Sequence, residues 1–126
     1  MAIQRSAARW RQWKKHLPQS PLATKAWETL VGNWRPPRGA FMHEAIVPST
    51  TARWFNGAWA WDSWKEAYAV ASVDPRLAAN SVRAMFDYQI GEKDNLRPQD
   101  AGMVIDAIFY NRDAGRAGDE IGRAHV

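Results

Sequence analysis

The sequence predicts an all-α fold, on three observations. Apolar residues recur at spacings of three and four, two helix starts are led by proline, and no alternating apolar–polar run survives inspection. About four to five helices are expected, with one long ordered loop among them.

Residues 4–16, QRSAARWRQWKKH, predict a short basic helix that Pro18 ends. Ser20 then reads as an N-cap with Pro21 at the first helical position, opening a helix over 21–31 that Gly32 closes. Residues 33–60 contain Pro36, Pro37, Gly39, Pro48 and Gly57 and predict a long irregular stretch. Because that stretch also carries Trp34, Phe41, Ile46, Val47, Trp54, Phe55 and Trp59, it is expected to be ordered and packed. The next helix covers 61–73, with Trp61, Trp64, Tyr68 and Ala71 at helical spacing. Asp74-Pro75 caps and starts another over 75–90, where Leu77, Val82, Met85, Phe86 and Ile90 fall mostly on one side and Gly91 ends the run. The short turn between these two predicts an antiparallel helical hairpin. After the polar loop GEKDNLRPQ a last helix is expected over 100–111, with Asp100 as its cap. From residue 112 onward there is no periodicity.

The 126 residues, 46% hydrophobic and 24% charged, suffice for one modest domain. The absence of cysteine excludes a disulfide scaffold, a cysteine zinc site and thiol catalysis. No apolar window reaches the ~18 residues of a membrane-spanning helix. The basic N-terminus has no apolar stretch behind it, so it does not read as a secretory signal, and localisation is not legible. The net charge of +4 is uneven: residues 1–38 hold eight Lys/Arg and one acid, whereas 39–126 hold nine bases and twelve acids. A nucleic-acid surface needs a basic stripe across a folded face, so nucleic acid is not an expected partner, and neither is a membrane.

All eight tryptophans lie within the first 64 residues. The densest cluster is Thr51-Ala-Arg53-Trp54-Phe55-Asn56-Gly57-Ala-Trp59-Ala-Trp61-Asp62-Ser63-Trp64. Aromatic faces stack on the C–H faces of a pyranose while a carboxylate and a guanidinium bond its hydroxyls. The same residues also fit a Trp-rich core in which Asp62 caps the following helix.

The blocks ETLVGNW (28–34), TARWF…WAWDSWKEAYA (51–69), NSVRAMFDYQ (80–89) and LRPQD (96–100) resemble glycoside hydrolase family 63, above all its bacterial α-glucosidase members. The likeness covers residues 21–118, with the blocks in order and similarly spaced. The Arg-aromatic…Trp-Asp arrangement is also similar to the trehalase signature of family 37, but Asn56 stands where that signature has glutamate. The resemblance implies a partial (α/α)6 barrel over 21–118, preceded by a basic linker helix over 1–20. It implies inverting, exo-acting hydrolysis of a terminal α-glucosidic bond, with an oligosaccharide or α-glucoside as substrate and no cofactor or metal. Inverting chemistry uses an acid and a base ~6.5–9.5 Å apart. The family's catalytic pair lies downstream of these blocks, so no catalytic residue is assignable and the chain alone is expected to be inactive.

Carried over by position, Trp61 and Asp62 match the pair lining the terminal-glucose subsite, and Arg53 and Phe55 match the arginine and aromatic before it. Arg97 matches a later loop, where Asp100 reads equally as a cap. A trehalose-like or mannosyl substrate on the same scaffold is the alternative within enzymes. Outside them, the alternative is a stand-alone Trp-rich module for carbohydrate or single-stranded nucleic acid.

The remaining candidates read blandly. His43-Glu44 lacks the second histidine of a zinc motif, since Val47 stands there. Glu66 and Asp87 are expected in surface pairs. The string EIGRAHV coincides with a translated sequencing adapter, so 119–126 is expected to be a non-native read-through tail.

Overall fold

Two short polar side chains set where helices begin. In the computed structural model, which describes residues 2–18, 20–52, 55 and 57–109, the first helix, α1 (Ala2–Lys14), is followed by α2 (Pro21–Gly32). Ser20 Oγ accepts the Ala23 amide at 3.1 Å, which satisfies one of the free donors of the α2 start. Gly32 is the last residue of this helix rather than the stop; Asn33 caps it by donating its amide to the Thr29 and Leu30 carbonyls. The pair α3 (Ala60–Val70) and α4 (Pro75–Phe86) forms the antiparallel hairpin, and Asp74 Oδ1 accepts the Leu77 amide at 3.0 Å to open α4.

The all-α expectation is corrected by what lies between and after these helices. Among the described residues the fold is mixed α/β, 46% helix and 12% strand, with two antiparallel two-stranded sheets. One pairs β1 (Trp34–Arg35) with β2 (Ala45–Ile46); the other pairs β3 (Gly57–Trp59) with β4 (Ala107–Phe109). The partial (α/α)6 barrel expected for 21–118 falls with that correction, because segments read as loop or helix are bound into ribbons. These strands are two or three residues long, and β2 is buried on both faces. Neither condition leaves an alternating signature.

The helix expected over 100–111 is absent from its described part. Pro98–Asp100 makes one 3-10 turn, and Gly102 then takes φ +91°, a left-handed conformation that ends any helix there. Its amide donates to the Ile90 carbonyl at 2.7 Å, and the Ile90 amide donates to Met103 at 2.9 Å. Ile90 therefore serves this pairing instead of the end of α4. The suspected tail at 119–126 lies outside the described residues.

Two apolar clusters hold the fold. Met85 and Ala84 of α4 meet Phe41, Val47, Ala58, Ile105 and Ile108 in one. In the other, Trp13 of α1 is 1% exposed and packs with Val31, Trp34, Ile46, Val70 and Leu77. Its ring meets Trp27 edge to face at 5.6 Å. The basic helix is thus docked against the body.

A carboxylate network joins the same elements. Glu44 accepts from Trp34 Nε1 at 2.9 Å, Asn80 Nδ2 at 3.0 Å and Arg9 Nη2 at 3.1 Å. Arg9 Nε reaches Asp74 Oδ2 at 3.2 Å, and Trp13 Nε1 donates to that oxygen at 3.3 Å. Burial opposes the charge on Glu44, yet the bonds from Trp34, Asn80 and Arg9, with the arginine's charge, outweigh it and hold the carboxyl below its ordinary range.

Gly57 marks the closest backbone approach in the β3–β4 ribbon. A Cβ there lies 2.0 Å from the Ile108 carbonyl oxygen. Gly57→Ala is expected to lower unfolding stability by about 2–3 kcal/mol in urea titration; an unchanged midpoint contradicts the ribbon.

Candidate functional site

The β3–β4 ribbon runs directly into α3, and this junction presents the aromatic–acid cluster. Trp59, last residue of β3, is extended (φ −110°, ψ 141°) and stands at the N-cap position of α3 without a side-chain cap bond. The Ala60 amide donates to the Asp106 carbonyl at 2.7 Å, fastening the start of the helix to the strand opposite. The Trp59 ring is met edge-on by Phe55 and by Phe109, each at 5.6 Å between centroids. Phe55 therefore reaches the site by packing on Trp59.

Trp61 and Asp62 follow in the first turn of α3. Trp61 is 63% exposed, and Lys65 Nζ lies 3.5 Å from its ring centroid, a cation–π contact one turn along. Asp62 is half-buried beside it. The core alternative for this cluster fails for Trp61, which faces solvent, and Asp62 lies inside the helix instead of capping it.

Arg97 is fixed in a separate loop. Its amide and that of Leu96 donate to Asp94 Oδ1 at 2.7 and 2.9 Å, and its Nε contacts Asp100 Oδ2 at 2.7 Å. The backbone bonds from Arg97 and then Leu96 hold Asp94 below its ordinary range. Asp100 accordingly fastens Arg97 and caps no long helix. Arg53, the remaining expected residue, lies outside the described residues.

One acid here escaped the sequence reading. Glu66, one turn beyond Asp62 on α3, is no surface pair. Burial first, and the charge of Asp62 second, push its carboxyl up to about 8. Its Oε2 is closed to solvent and has no hydrogen-bond partner among the described residues. Ser63, Ala67 and Val70 are buried on the same helix, so Glu66, three after Ser63 and four before Val70, falls on the inward stripe. That spacing was the available signal. Asp87, also expected in a surface pair, contacts His43 Nδ1 at 2.6 Å across the fold.

Chemically, the junction offers an exposed indole, with Lys65 over one face, and a carboxylate that can accept hydroxyl hydrogen bonds. At neutral pH the carboxyl beneath them is mainly protonated. Glu66 is not placed to reach a glycosidic oxygen, since its free oxygen is enclosed. Among the described residues no three His, Asp or Glu side chains gather to hold a metal ion. A cavity of about 530 Å3 lies elsewhere, walled by α1, α4 and residues 34–44, and of the expected residues that are described, Phe55, Trp61, Asp62 and Arg97, none lines it.

No protein-family model matches the chain. The likeness to the glycosidases therefore rests on the residue blocks quoted above.

Raising the Glu66 pKa has a definite sign. Stability from its protonated form is complete below the unfolded value of 4.5 and is lost as pH rises through about 8. Glu66→Gln is expected to match the parent near pH 4 and to exceed it at pH 9 by about 1–2 kcal/mol, after allowance for solvent screening. Parallel melting curves across that range would remove the acid from the interior.

Proposed function

We propose that the chain supplies the terminal-glucose subsite of an α-glucosidase-type glycoside hydrolase. The observation that carries this reading is the exposure of Trp61 beside Asp62 at the ribbon–helix junction. A large indole exposed in the same helical turn as a carboxylate offers an aromatic surface and a hydroxyl acceptor within one short segment, which suits a pyranose. The resemblance of the 51–69 block to family 63 supports glucose as that sugar, and an inverting, exo-acting enzyme as the setting. It also puts the general acid and base on residues beyond these blocks. On this reading the chain binds the sugar end and does not turn it over.

The test is titration of the 126-residue chain with maltose, followed by intrinsic tryptophan fluorescence. Saturable quenching is expected, weakened about tenfold or more by either Trp61→Ala or Asp62→Asn. Far-ultraviolet circular dichroism must stay unchanged in both variants. Unchanged affinity in both rejects the subsite. Quenching by an oligothymidylate and not by maltose assigns the open indole to single-stranded nucleic acid instead.

A further inference from the structure

The chain just before β2 is gripped by the C-terminal end of α4. Tyr88 donates its hydroxyl to the Ala40 carbonyl, and the neighbouring Asp87 Oδ2 accepts from His43 Nδ1 at 2.6 Å. Asp87 is itself the C-cap of α4, with its amide donated to the Arg83 carbonyl at 2.9 Å. Ahead of the histidine, Arg38 and Phe41 exchange backbone hydrogen bonds at 3.0 and 2.9 Å. Directly after it, Glu44 is held by Trp34, Asn80 and Arg9. The imidazole is therefore fixed along the chain on both sides and at one ring nitrogen.

A carboxylate only accepts hydrogen bonds, so the proton of the neutral ring is on Nδ1, and Nε2 is the basic nitrogen. Nε2 has no hydrogen-bond partner among the described residues, and the side chain is 34% exposed. His43 lines the cavity between α1, α4 and residues 34–44, whereas Asp87 does not, so the carboxylate holds the ring from outside. The cavity volume, about 530 Å3, falls within the range of small-molecule sites. Ala8, Pro37 and Met42 give it apolar surface, and Gln12 and Arg76 add donors. Arg9 and Arg76 stand against Glu44 and Asp74, so an uncharged ligand suits the cavity better than an ion.

We infer that His43 is a general base for hydrolysis of a small uncharged carboxylic ester held in this cavity, with Asp87 as its positioning residue and the acyl body against Met42 and Pro37. Nε2 takes a proton from water as the water oxygen bonds to the ester carbonyl carbon. The tetrahedral adduct then breaks its bond to the alcohol oxygen, which leaves with the proton that Nε2 returns. Asp87 keeps its hydrogen bond to Nδ1 throughout and offsets the charge that forms on the ring. Water is the sole co-reactant. The site is separate from the Trp61–Asp62 junction and stands or falls without it.

Hydrolysis of p-nitrophenyl acetate and p-nitrophenyl butyrate by the 126-residue chain tests this, followed by p-nitrophenolate release. The chain is expected to show saturation and to exceed equimolar free imidazole about 100-fold. His43→Gln is expected to remove that excess, whereas His16→Ala, which alters an exposed histidine beyond the end of α1, keeps it. Asp87→Asn is expected to lower kcat about tenfold or more at unchanged KM, with Asp87→Glu between it and the parent. Circular dichroism checks that each variant keeps the parental fold. A rate no greater than that of free imidazole overturns the proposal, as does a folded His43→Gln chain at the parental rate or a His16→Ala chain that loses as much as His43→Gln. Should His43→Gln fail to fold, Asp87→Asn decides, and an unchanged kcat overturns it.

Discussion

The carboxylate of Glu44 is the constraint around which the N-terminal half is arranged. Its two oxygens collect donors from α1, from β1 and from α4. Arg9 then passes the connection to Asp74, whose other oxygen opens α4. A charge this enclosed is tolerated only when its lone pairs are filled, so Arg9, Trp34 and Asn80 must arrive together. Once they do, Trp13 and Trp34 are fixed by their indole N–H groups as well as by packing. Two tryptophans that a simple hydrophobic core would leave free to rotate are thereby held in one orientation.

The other half depends on a steric condition. Gly57 allows β3 to approach the Ile108 carbonyl, and the pairing continues through Trp59 to the first amide of α3. The start of α3 is consequently held by strand bonds, with no capping side chain. That arrangement leaves the first turn free to present Trp61 outward, with Asp62 half-buried on the Glu66 side, while Ser63, Ala67 and Val70 face in. Glu66 shares the inward side with no hydrogen-bond partner for its buried oxygen among the described residues, a local conflict of the sort that functional regions tolerate.

How much of this was legible in the sequence follows from the range of each signal. Ser20-Pro21 and Asp74-Pro75 located two helix starts because capping is settled within four residues. The ribbons were invisible because their pairing joins residues 57 and 109, and 34 and 46, in strands too short to alternate. The helix expected over 100–111 shows the converse error. Its apolar residues suit a helix locally, but Gly102 and the pairing with Ile90 turn the chain into extended structure. Of the candidate site, the neighbours Trp61 and Asp62 were legible as a local pair. The partners of Glu44 were not, since Arg9 comes from 35 residues before it, Asn80 from 36 after it, and Trp34, 10 before, from the opposite strand of a ribbon that leaves no sequence signature.

Three of the described tryptophans differ in what their rings meet. Trp13 and Trp34 donate to half-buried acids, whereas Trp61 is exposed, with Lys65 over its ring. Following the indole N–H resonances by NMR during a maltose titration reads this division directly. The Trp61 resonance, assigned with Trp61→Phe, is expected to shift saturably while those of Trp13 and Trp34 stay fixed. A Trp61 resonance unmoved at high maltose, or shifts confined to Trp13 and Trp34, would contradict the account.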